Sequence, residues 1–344
     1  MPDIEYRQGP RLPFCTPADG REGCVTTAAD DVGSYRRWEP GYPLDLRLTL
    51  LVHQRGPRDP AFRVGETGAI WRTSLTPSGP GTLRIAGLRT SSPGSAQSAG
   101  SRLAVAASAW GPGAAWLLTS VPDLLGAADD PDAFAPVHPQ LRDLASRYQG
   151  LRLGRTNRVL EALVPAVLEQ KVVGVEARRA WRWLLTRFGT PAPGPAPAGM
   201  RVFPAPETWL AIPSWEWHRA GVEAVRARTI ANAARVAARL EAISLLPSSQ
   251  ADRALTSLAG VGPWTSAETR QRACGDPDAV SVGDYHLPAA VGWVLTGHPT
   301  DDAGMLALLA PYDGQRHRAA RLAELAGGPP RRGPRLAVRD YRAI

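Results

Sequence analysis

The chain has 344 residues, a mass of 36.8 kDa, a formal net charge of +8 and a pI near 10.0. That length can hold two or three domains with ample core, and 44% hydrophobic with 21% charged residues is typical of a soluble globular protein. The positive charge favours a polyanionic partner. Compositional bias explains most of the arginines, since Lys171 is the only lysine among 40 basic residues, but not their excess over the 32 acids.

The cysteines and the hydropathy pattern exclude several classes of protein. Cys15, Cys24 and Cys274 are too few for a four-cysteine iron–sulfur cluster and show no disulfide-framework spacing. We therefore expect no cofactor and no metal site, with a metal or a disulfide at Cys15 and Cys24 as the alternative. We find no signal peptide and no apolar run long enough to span a membrane, and expect a cytoplasmic protein near the chromosome.

The first third of the chain predicts a sheet domain over residues 36–130, after a mobile tail, 1–35, that is rich in Pro, Gly and Asp. An alternating apolar pattern begins the domain and predicts its first strand: Leu46, Leu48, Leu50 and Val52. Gly/Pro turns then separate four further predicted strands: Ala69–Leu75, Thr82–Ala86, Leu103–Trp110 and Ala114–Leu118. We expect an antiparallel sheet with a short helix or two, and a flexible Ser/Gly-rich loop at 91–101.

The remainder, residues 131–328, shows helical periodicity and precedes a basic tail, 329–344. The pattern predicts seven helices here besides those of the central motif: Gln140–Tyr148, Leu160–Gln170, Glu176–Phe188, Pro213–Arg219, Glu223–Ile243, Asp301–Leu309 and Gln315–Leu325. A Pro/Ala/Gly linker covers Thr190–Met200. We predict an α+β protein, mainly a helical body of two lobes with a cleft, plus the N-terminal sheet.

A helix, a tight turn and a second helix form the central motif, residues 248–274. Ser248 and Ser249 are good N-cap residues for the first helix. The turn contains Gly260 and Gly262, and Pro263 suits the first turn of the second helix. Glycine N–H groups beside a helix N-terminus favour a bound phosphate. A loop then ends at an aspartate, residue 284, at the head of a helix that we expect to begin at the next residue.

These residues resemble the helix-hairpin-helix DNA glycosylase superfamily that includes endonuclease III, and most of all the bacterial 3-methyladenine DNA glycosylase II family. The residues that carry the likeness are Leu258, Gly260, Val261, Gly262, Trp264, Thr265 and Asp284. An aspartate 22 residues after the second glycine (284 − 262) is the more specific part, because non-catalytic DNA-binding modules share the hairpin. The resemblance covers residues 135–325 well and 40–130 weakly. It implies a monomeric DNA N-glycosylase that needs no cofactor and acts on damaged bases in double-stranded DNA.

Asp284 is the expected catalytic residue. Cleavage of an N-glycosidic bond builds positive charge on the deoxyribose, and an alkylated cationic base leaves without a proton. A carboxylate about 4 Å from that charge supplies on the order of 4 kcal/mol at an effective dielectric near 20. The alternative is that Asp284 only caps its helix, and the two roles are compatible.

The damaged base is expected near Trp264 and Glu268, and Trp217 belongs to an aromatic cluster that is expected to line the same cleft. Trp264 stands where bifunctional relatives carry a Schiff-base lysine, so it implies a monofunctional enzyme, and its ring can stack on a cationic base. Glu268 replaces an aromatic of the family and either contacts the base or pairs with a neighbouring arginine. Trp264 and Trp217 have the alternative of packing in the core.

The expected DNA-binding residues surround the hairpin and the end of one apolar helix. They are Gly260, Val261, Gly262, Thr265, Gln170, Lys171 and Arg316. Lys171 occupies a corner that probes the minor groove in the family, and Arg316 is expected to hold a phosphate, with a solvated surface position as the alternative for both. Two rival functions remain open: a non-catalytic helix-hairpin-helix DNA-binding protein, and a glycosylase with lyase activity through Lys171.

Overall fold

The N-terminal part of the chain forms one antiparallel sheet. A computed structural model describes residues 33–90, 102–329 and 337–338. The strands are β1 (Ser34–Trp38), β2 (Phe62–Val64), β3 (Ile70–Thr76), β4 (Gly79–Thr90) and β5 (Arg102–Trp110). In space they follow the order β1-β5-β4-β3-β2, and all neighbours are antiparallel. Leu83, Ile85 and Val105 anchor the core beneath the sheet.

Three of the predicted strands are confirmed by β3, β4 and β5. The sequence does not predict β1 or β2. β1 is mostly polar and so lacks an alternating apolar pattern, and β2 has only three residues. β1 begins at the end of the segment that the sequence assigns to a tail. Residues 1–32 of that tail, with Cys15 and Cys24, lie outside the described residues, and so do the predicted loop at 91–101 and most of the basic tail.

The predicted first strand, Leu46 to Val52, is wrong because the segment is helical. It forms α1 (Leu46–Leu50) and a 3-10 turn that follows. The Asp45 carboxylate starts the helix by accepting the backbone N–H groups of Arg47 at 2.8 Å and Leu48 at 3.0 Å. Leu50 packs under the sheet whereas Leu48 packs against the helical part of the chain. The alternation therefore reflects two cores on opposite sides rather than one buried strand face.

The predicted strand at Ala114–Leu118 is also wrong. These residues form α2 (Ala114–Thr119), and α3 (Val121–Leu124) follows with a proline in its first turn. Leu117 and Leu118 are both buried against the sheet. Consecutive buried residues suit a helix that lies on a sheet, whereas a strand would point them to opposite faces. The apolar run is too short for periodicity to separate the two.

The remaining described chain is almost entirely helical. Its helices are α4 (Pro139–Arg147), α5 (Val159–Leu168), α6 (Gly174–Phe188), α7 (Pro206–Ala211), α8 (Ser214–Ala220), α9 (Ala224–Arg235), α10 (Ala237–Glu241), α11 (Ser248–Thr256), α12 (Pro263–Ala273), α13 (Leu287–Thr296), α14 (Asp302–Leu309) and α15 (Arg316–Ala326). The predicted long helix from Glu223 is interrupted at Val236 and ends in a 3-10 turn. The predicted linker begins with β6 (Thr190–Pro191), which pairs with β7 (Arg201–Val202) directly after it.

Two separate hydrophobic cores divide the helices into two lobes. The first lobe holds α5 to α12 around residues such as Leu163, Leu184 and Ile230. The second lobe holds α4 and α13 to α15 around residues such as Leu141 and Val291. The chain passes between the lobes at residues 148–158 and 274–286. The predicted fold class, α+β with two helical lobes and an N-terminal antiparallel sheet, is confirmed.

The sheet is joined to the first lobe through the carboxylate of Glu161 on α5. This carboxylate accepts the Leu75 N–H at 2.6 Å and the Ser74 hydroxyl at 2.9 Å, and it pairs with Arg72 at 3.1 Å. Only 9% of the Glu161 side chain is exposed. A buried carboxylate needs such partners, and all of them come from β3. No helix in the described part of the chain is long and apolar enough to cross a membrane.

Candidate active site and nucleic-acid interface

The hairpin between α11 and α12 uses its two glycines differently. Gly260 has φ +90°, and an added Cβ would stand 2.1 Å from the Thr229 hydroxyl, so the fold itself requires glycine there. Gly262 has φ −96°, and an added Cβ would meet nothing within 4 Å. The backbone at Gly262 is therefore open to solvent beside the first, unpaired N–H groups of α12. This arrangement suits an approaching anion.

A buried ion pair holds the helices of the hairpin together. Arg270 of α12 pairs with Asp276 and, at 3.2 Å, with Asp252 of α11. The side chains of Arg270 and Asp276 are only 10% and 3% exposed. Ser248 donates its hydroxyl to Asp276 at 2.6 Å instead of capping α11, which begins after Pro247 without a side-chain cap. The predicted cap at Ser248 and Ser249 is therefore wrong, because the buried pair uses the Ser248 hydroxyl.

The residues that follow α5 form a corner that is held by hydrogen bonds to the hairpin and by an ion pair to the sheet domain. Gln170 donates from Nε2 to the Gly260 carbonyl at 2.9 Å and to the Thr265 hydroxyl at 2.8 Å. Its neighbour Glu169 pairs with Arg55 of the sheet domain at 3.0 Å. Lys171 is exposed at the tip with φ +54°, a conformation that costs a non-glycine residue about 1–2 kcal/mol. The structure therefore presents the lysine beside the hairpin on a rigid, strained corner.

Asp284 makes contacts with both of its carboxylate oxygens. Oδ1 accepts the backbone N–H groups of His286 at 2.7 Å and Leu287 at 2.9 Å, at the start of α13. Oδ2 accepts the indole N–H of Trp264 at 3.1 Å. The helix begins at Leu287 and not at Tyr285, which corrects the predicted boundary. Asp284 thus accepts the first backbone N–H groups at the start of α13 from two residues before its N-cap, His286, and Trp264 holds its second oxygen.

Glu268 lies one turn after Trp264 on α12 and is paired with an arginine. Its Oε2 is 2.7 Å from Arg272 Nη1, and its Oε1 accepts the Ser281 hydroxyl at 2.6 Å. Burial acts to raise the pKa of Glu268, but the charge of Arg272 and the Ser281 hydrogen bond outweigh it and hold this pKa below the ordinary value. Of the two alternatives from the sequence, the pairing with a neighbouring arginine is the one observed.

One face of α15, in the second lobe, lies near Asp284 and Glu268. His317, Arg321 and Glu324 are four and three residues apart and so lie on one side of this helix. Glu324 interacts electrostatically with Glu268 and Asp284 as well as with Arg321. We call this region the interlobe cleft and define it by these residues: Trp264, Glu268, Arg272, Asp284, His317, Arg321 and Glu324. It lies between α12 of the first lobe and the N-terminus of α13 with α15 of the second.

Trp217 does not belong to the cleft, and its prediction as a base contact is corrected. It is 6% exposed and stacks on Trp209 within the core of the first lobe, with ring centroids 5.9 Å apart. It borders a groove of about 540 Å³ at α8 and α9, together with His218 and Val222. None of the residues that line this groove is a cleft residue. Trp217 therefore serves packing, whereas Trp215, the other tryptophan of the Trp-x-Trp pattern, is 62% exposed.

Three predicted DNA contacts are corrected in part or in full. Val261 and Thr265 are only 6% and 2% exposed, so neither presents a side chain to DNA. Val261 packs in the core of the first lobe, and Thr265 accepts the Gln170 amide. Arg316 is bound to the Asp278 carboxylate through its Nε at 2.8 Å and its Nη2. Its charge holds a loop of its own lobe, because Asp278 follows α12 and faces the start of α15.

Several cleft residues are not predicted from the sequence. Arg272 has a detectable signal, because it lies four residues after Glu268. For Arg321 and Glu324 the only sequence signal is that they lie on the same helix face. Their position relative to α12 depends on tertiary packing. The described residues contain no group of three or more His, Cys, Asp or Glu side chains that could hold a metal ion.

The chain is similar to DNA repair proteins in sequence and to DNA glycosylases in fold. No protein-family model matches the chain. Curated proteins of two Mycobacterium tuberculosis strains, named "Probable bifunctional transcriptional activator/DNA repair enzyme AlkA", are 34% identical over 175 residues. The match covers 48% of this chain and 34% of each relative, so the chain spans about a third of their length.

Among solved structures, the 3-methyladenine DNA-glycosylase from Archaeoglobus fulgidus aligns over 84% of this chain and 97% of its own, with a TM-score of 0.66 and 19% identity. This chain has the fold of the helix-hairpin-helix DNA glycosylases. An 8-oxoguanine glycosylase/lyase from Clostridium acetobutylicum, in complex with double-stranded DNA, has the same glycosylase fold with a TM-score of 0.60. It is 12% identical and aligns over 84% of this chain and 96% of its own.

Proposed function

We propose that this protein is a DNA glycosylase that hydrolyses the N-glycosidic bond of damaged bases in double-stranded DNA, with alkylated purines as substrates. The observation that carries the proposal is the environment of Asp284. A helix N-terminus and the Trp264 indole hold its carboxylate at the cleft. The named DNA repair relatives and the glycosylase structures support the same class of enzyme.

The chemistry follows from the cleft residues. The target nucleotide leaves the base stack, because its sugar C1′ is out of reach inside a duplex. The backbone at Gly262 and the N-terminus of α12 hold a phosphate of the strand, and Lys171 enters the minor groove from the neighbouring corner. As the bond to the base breaks, Asp284 stabilises the positive charge on the sugar and orients the attacking water.

We further propose that the enzyme is monofunctional. Trp264 cannot form an imine, and Lys171 is the only lysine in the chain. Lys171 lies at the exposed corner next to Gln170, whose hydrogen bonds tie it to the hairpin and not to the cleft. A monomeric state, a cytoplasmic location and the domain boundaries at residues 36, 131 and 329 also stay predictions.

Base release from methylated genomic DNA tests this proposal, with the free bases separated by chromatography. We expect the protein to release methylpurines, and borohydride treatment to leave no covalent adduct with abasic DNA. An adduct that disappears in Lys171→Ala would favour the lyase alternative. Tight DNA binding without release of any base would leave a non-catalytic DNA-binding protein.

The two hairpin glycines give a prediction that separates DNA binding from folding. Gly262→Ala places a methyl group in open space at an allowed φ, so thermal stability is unchanged, but the methyl group keeps the DNA backbone away from the N–H groups. We expect the dissociation constant for duplex DNA to rise about tenfold, which is the loss of one charge-assisted hydrogen bond, roughly 1.4 kcal/mol. Fluorescence anisotropy at fixed salt measures it.

Gly260→Ala is the matched control. It has to strain a positive φ and to displace Thr229, so it lowers the free energy of unfolding by about 1–2 kcal/mol or more. If Gly262→Ala binds DNA as the wild type does, the hairpin does not contact the phosphate backbone through this glycine.

A further inference from the structure

Asp284 lies at the end of a tight turn that begins at Ser281. The Asp284 N–H closes the turn by donating to the Ser281 carbonyl at 3.2 Å, and Gly283 permits the turn with φ +90°. Ser281 is only 2% exposed, so protein encloses its hydroxyl. The position of Ser281 therefore sets the position of the Asp284 backbone.

The Ser281 hydroxyl is bound to α12 on two sides. Gln271 Nε2 donates to Ser281 Oγ at 2.9 Å and to the Ala279 carbonyl at 2.7 Å. The hydroxyl donates its own proton to Glu268 Oε1 at 2.6 Å. The amide nitrogen can only donate and the carboxylate can only accept, so each hydrogen bond has one possible direction. The turn is therefore held against α12 by contacts of defined polarity.

Both oxygens of the Glu268 carboxylate are engaged by protein groups. Oε1 accepts from Ser281, and Oε2 accepts from Arg272 Nη1 at 2.7 Å. Arg272 is held in turn by the sheet domain, because its Nε donates to the Val52 carbonyl at 3.2 Å. The side chains of Glu268 and Arg272 are 13% and 17% exposed, so little water competes for these contacts. A continuous path of hydrogen bonds runs from the sheet domain to the turn that carries Asp284.

Trp264 holds the other end of the turn. Its indole N–H donates to Asp284 Oδ2 at 3.1 Å. Trp264, Glu268 and Gln271 are four and three residues apart on α12, so they project from one side of this helix. The helix thus binds the turn at Ser281 and again at Asp284. Because α12 begins at the hairpin, these contacts fix the carboxylate relative to the surface proposed to hold the DNA backbone.

We propose that Glu268 is a positioning residue, which holds Ser281 and through it keeps the Asp284 carboxylate at the place where the sugar reacts. This proposal rests on the proposed glycosylase function. Glu268 does not touch the base in this role, although the sequence predicts it as a base contact. A reacting group that moves by 1 Å can lose about a hundredfold in rate, so a hydrogen bond that fixes the turn affects the reaction.

Glu268→Gln tests the proposal with little change of shape. An amide has one acceptor oxygen where the carboxylate has two, so glutamine accepts from Arg272 or from Ser281 but not from both. We expect single-turnover release of methylpurines from methylated duplex DNA, at saturating protein, to slow by roughly ten- to a hundredfold. The dissociation constant for the same DNA should be unchanged, because the hairpin and Lys171 are not altered. All methylpurines should slow alike, whereas a contact with the base would change their ratios.

A double variant shows whether Glu268 acts through Ser281. Ser281→Ala removes the hydroxyl and leaves the pair of Glu268 with Arg272 in place. It should slow excision to a similar extent. The variant that combines Glu268→Gln with Ser281→Ala should be no slower than the slower single variant, because both changes remove the same hydrogen bond. Two independent roles would instead multiply the two losses.

Glu241→Gln is the matched control. The Glu241 carboxylate also uses both oxygens, since it accepts the N–H groups of Val159 at 2.7 Å and Leu160 at 3.2 Å, and it lies 3.5 Å from Arg158. These contacts belong to the first lobe and include no cleft residue. The same substitution therefore removes comparable contacts and lowers stability without moving the turn, and the excision rate should stay at the wild-type value.

The possible outcomes separate this proposal from the function on which it rests. A wild-type rate in Glu268→Gln, an equal slowing in Glu241→Gln, or losses that multiply in the double variant would each overturn the role of Glu268 and leave the glycosylase intact. Weaker DNA binding that accounts for the whole loss of rate would overturn it as well. No release of any methylpurine by the wild type would overturn the glycosylase proposal itself, and this role with it.

Discussion

Asp284→Asn should slow base release by about a thousandfold while the protein stays folded and bound to DNA. The variant loses a negative charge about 4 Å from the developing positive charge on the sugar, which is worth on the order of 4 kcal/mol. The carbonyl oxygen of asparagine can still accept the N–H groups of His286 and Leu287, so the start of α13 keeps these two hydrogen bonds. Its amide N–H₂ then faces the Trp264 N–H, donor against donor. Single-turnover excision and DNA affinity, measured on one preparation, test this expectation.

A second capping aspartate provides the control for this variant. Asp301 caps α14 by accepting the Gly304 N–H at 2.9 Å, and it is exposed. Asp301→Asn makes the same chemical change at a helix end without altering the cleft, so excision should continue at the wild-type rate. Equal excision by Asp284→Asn and the wild type would leave Asp284 as a helix cap alone.

Asp276→Ala should lower the free energy of unfolding by about 3–5 kcal/mol, the usual cost of removing one partner of a buried ion pair. The change leaves the buried Arg270 guanidinium with the 41%-exposed Asp252 as its remaining charge partner, and it frees the Ser248 hydroxyl. The turn at Gly260 loses its support, so DNA binding should weaken as well. Urea unfolding followed by circular dichroism measures the change.

An exposed ion pair in the same chain is the control for the effect of burial on the free energy of unfolding. Asp313 pairs with Arg316 at 3.4 Å, but 85% of the Asp313 side chain is exposed. Asp313→Ala should therefore change the free energy of unfolding by less than about 0.5 kcal/mol. A similar loss in both variants would mean that the Arg270–Asp276 pair does not hold the hairpin together.

Local chemistry explains which parts of the fold can be predicted from the sequence. The turn at Gly260 and the start of α12 at Pro263 depend on backbone conformations that only a few residue types allow, and they lie where the sequence places them. Asp284 is predicted from its spacing, and a cap of α13 is what the structure shows. Long amphipathic helices such as α6 are predicted to within a few residues for the same reason.

Tertiary packing explains the parts that the sequence does not predict. The alternating leucines before Val52 serve two cores on opposite sides of α1, and a pattern along one chain does not reveal the second core. Trp217 is indistinguishable in sequence from a base contact until Trp209 is found stacked on it. Arg321 and Glu324 are distant in sequence from Asp284, and only the packing of α15 against α13 brings their helix to that part of the molecule.

The position of Glu161 has a consequence for how the protein unfolds. This carboxylate belongs to the central helix of the first lobe, yet its partners Arg72, Ser74 and Leu75 belong to the sheet. Detaching the sheet would break these buried contacts together and would also expose the core of the first lobe where Ala61 and Leu75 pack against it. We therefore expect the sheet and the first lobe to unfold together in a single cooperative transition. A shortened chain that begins at the helices would lack that coupling and fold poorly.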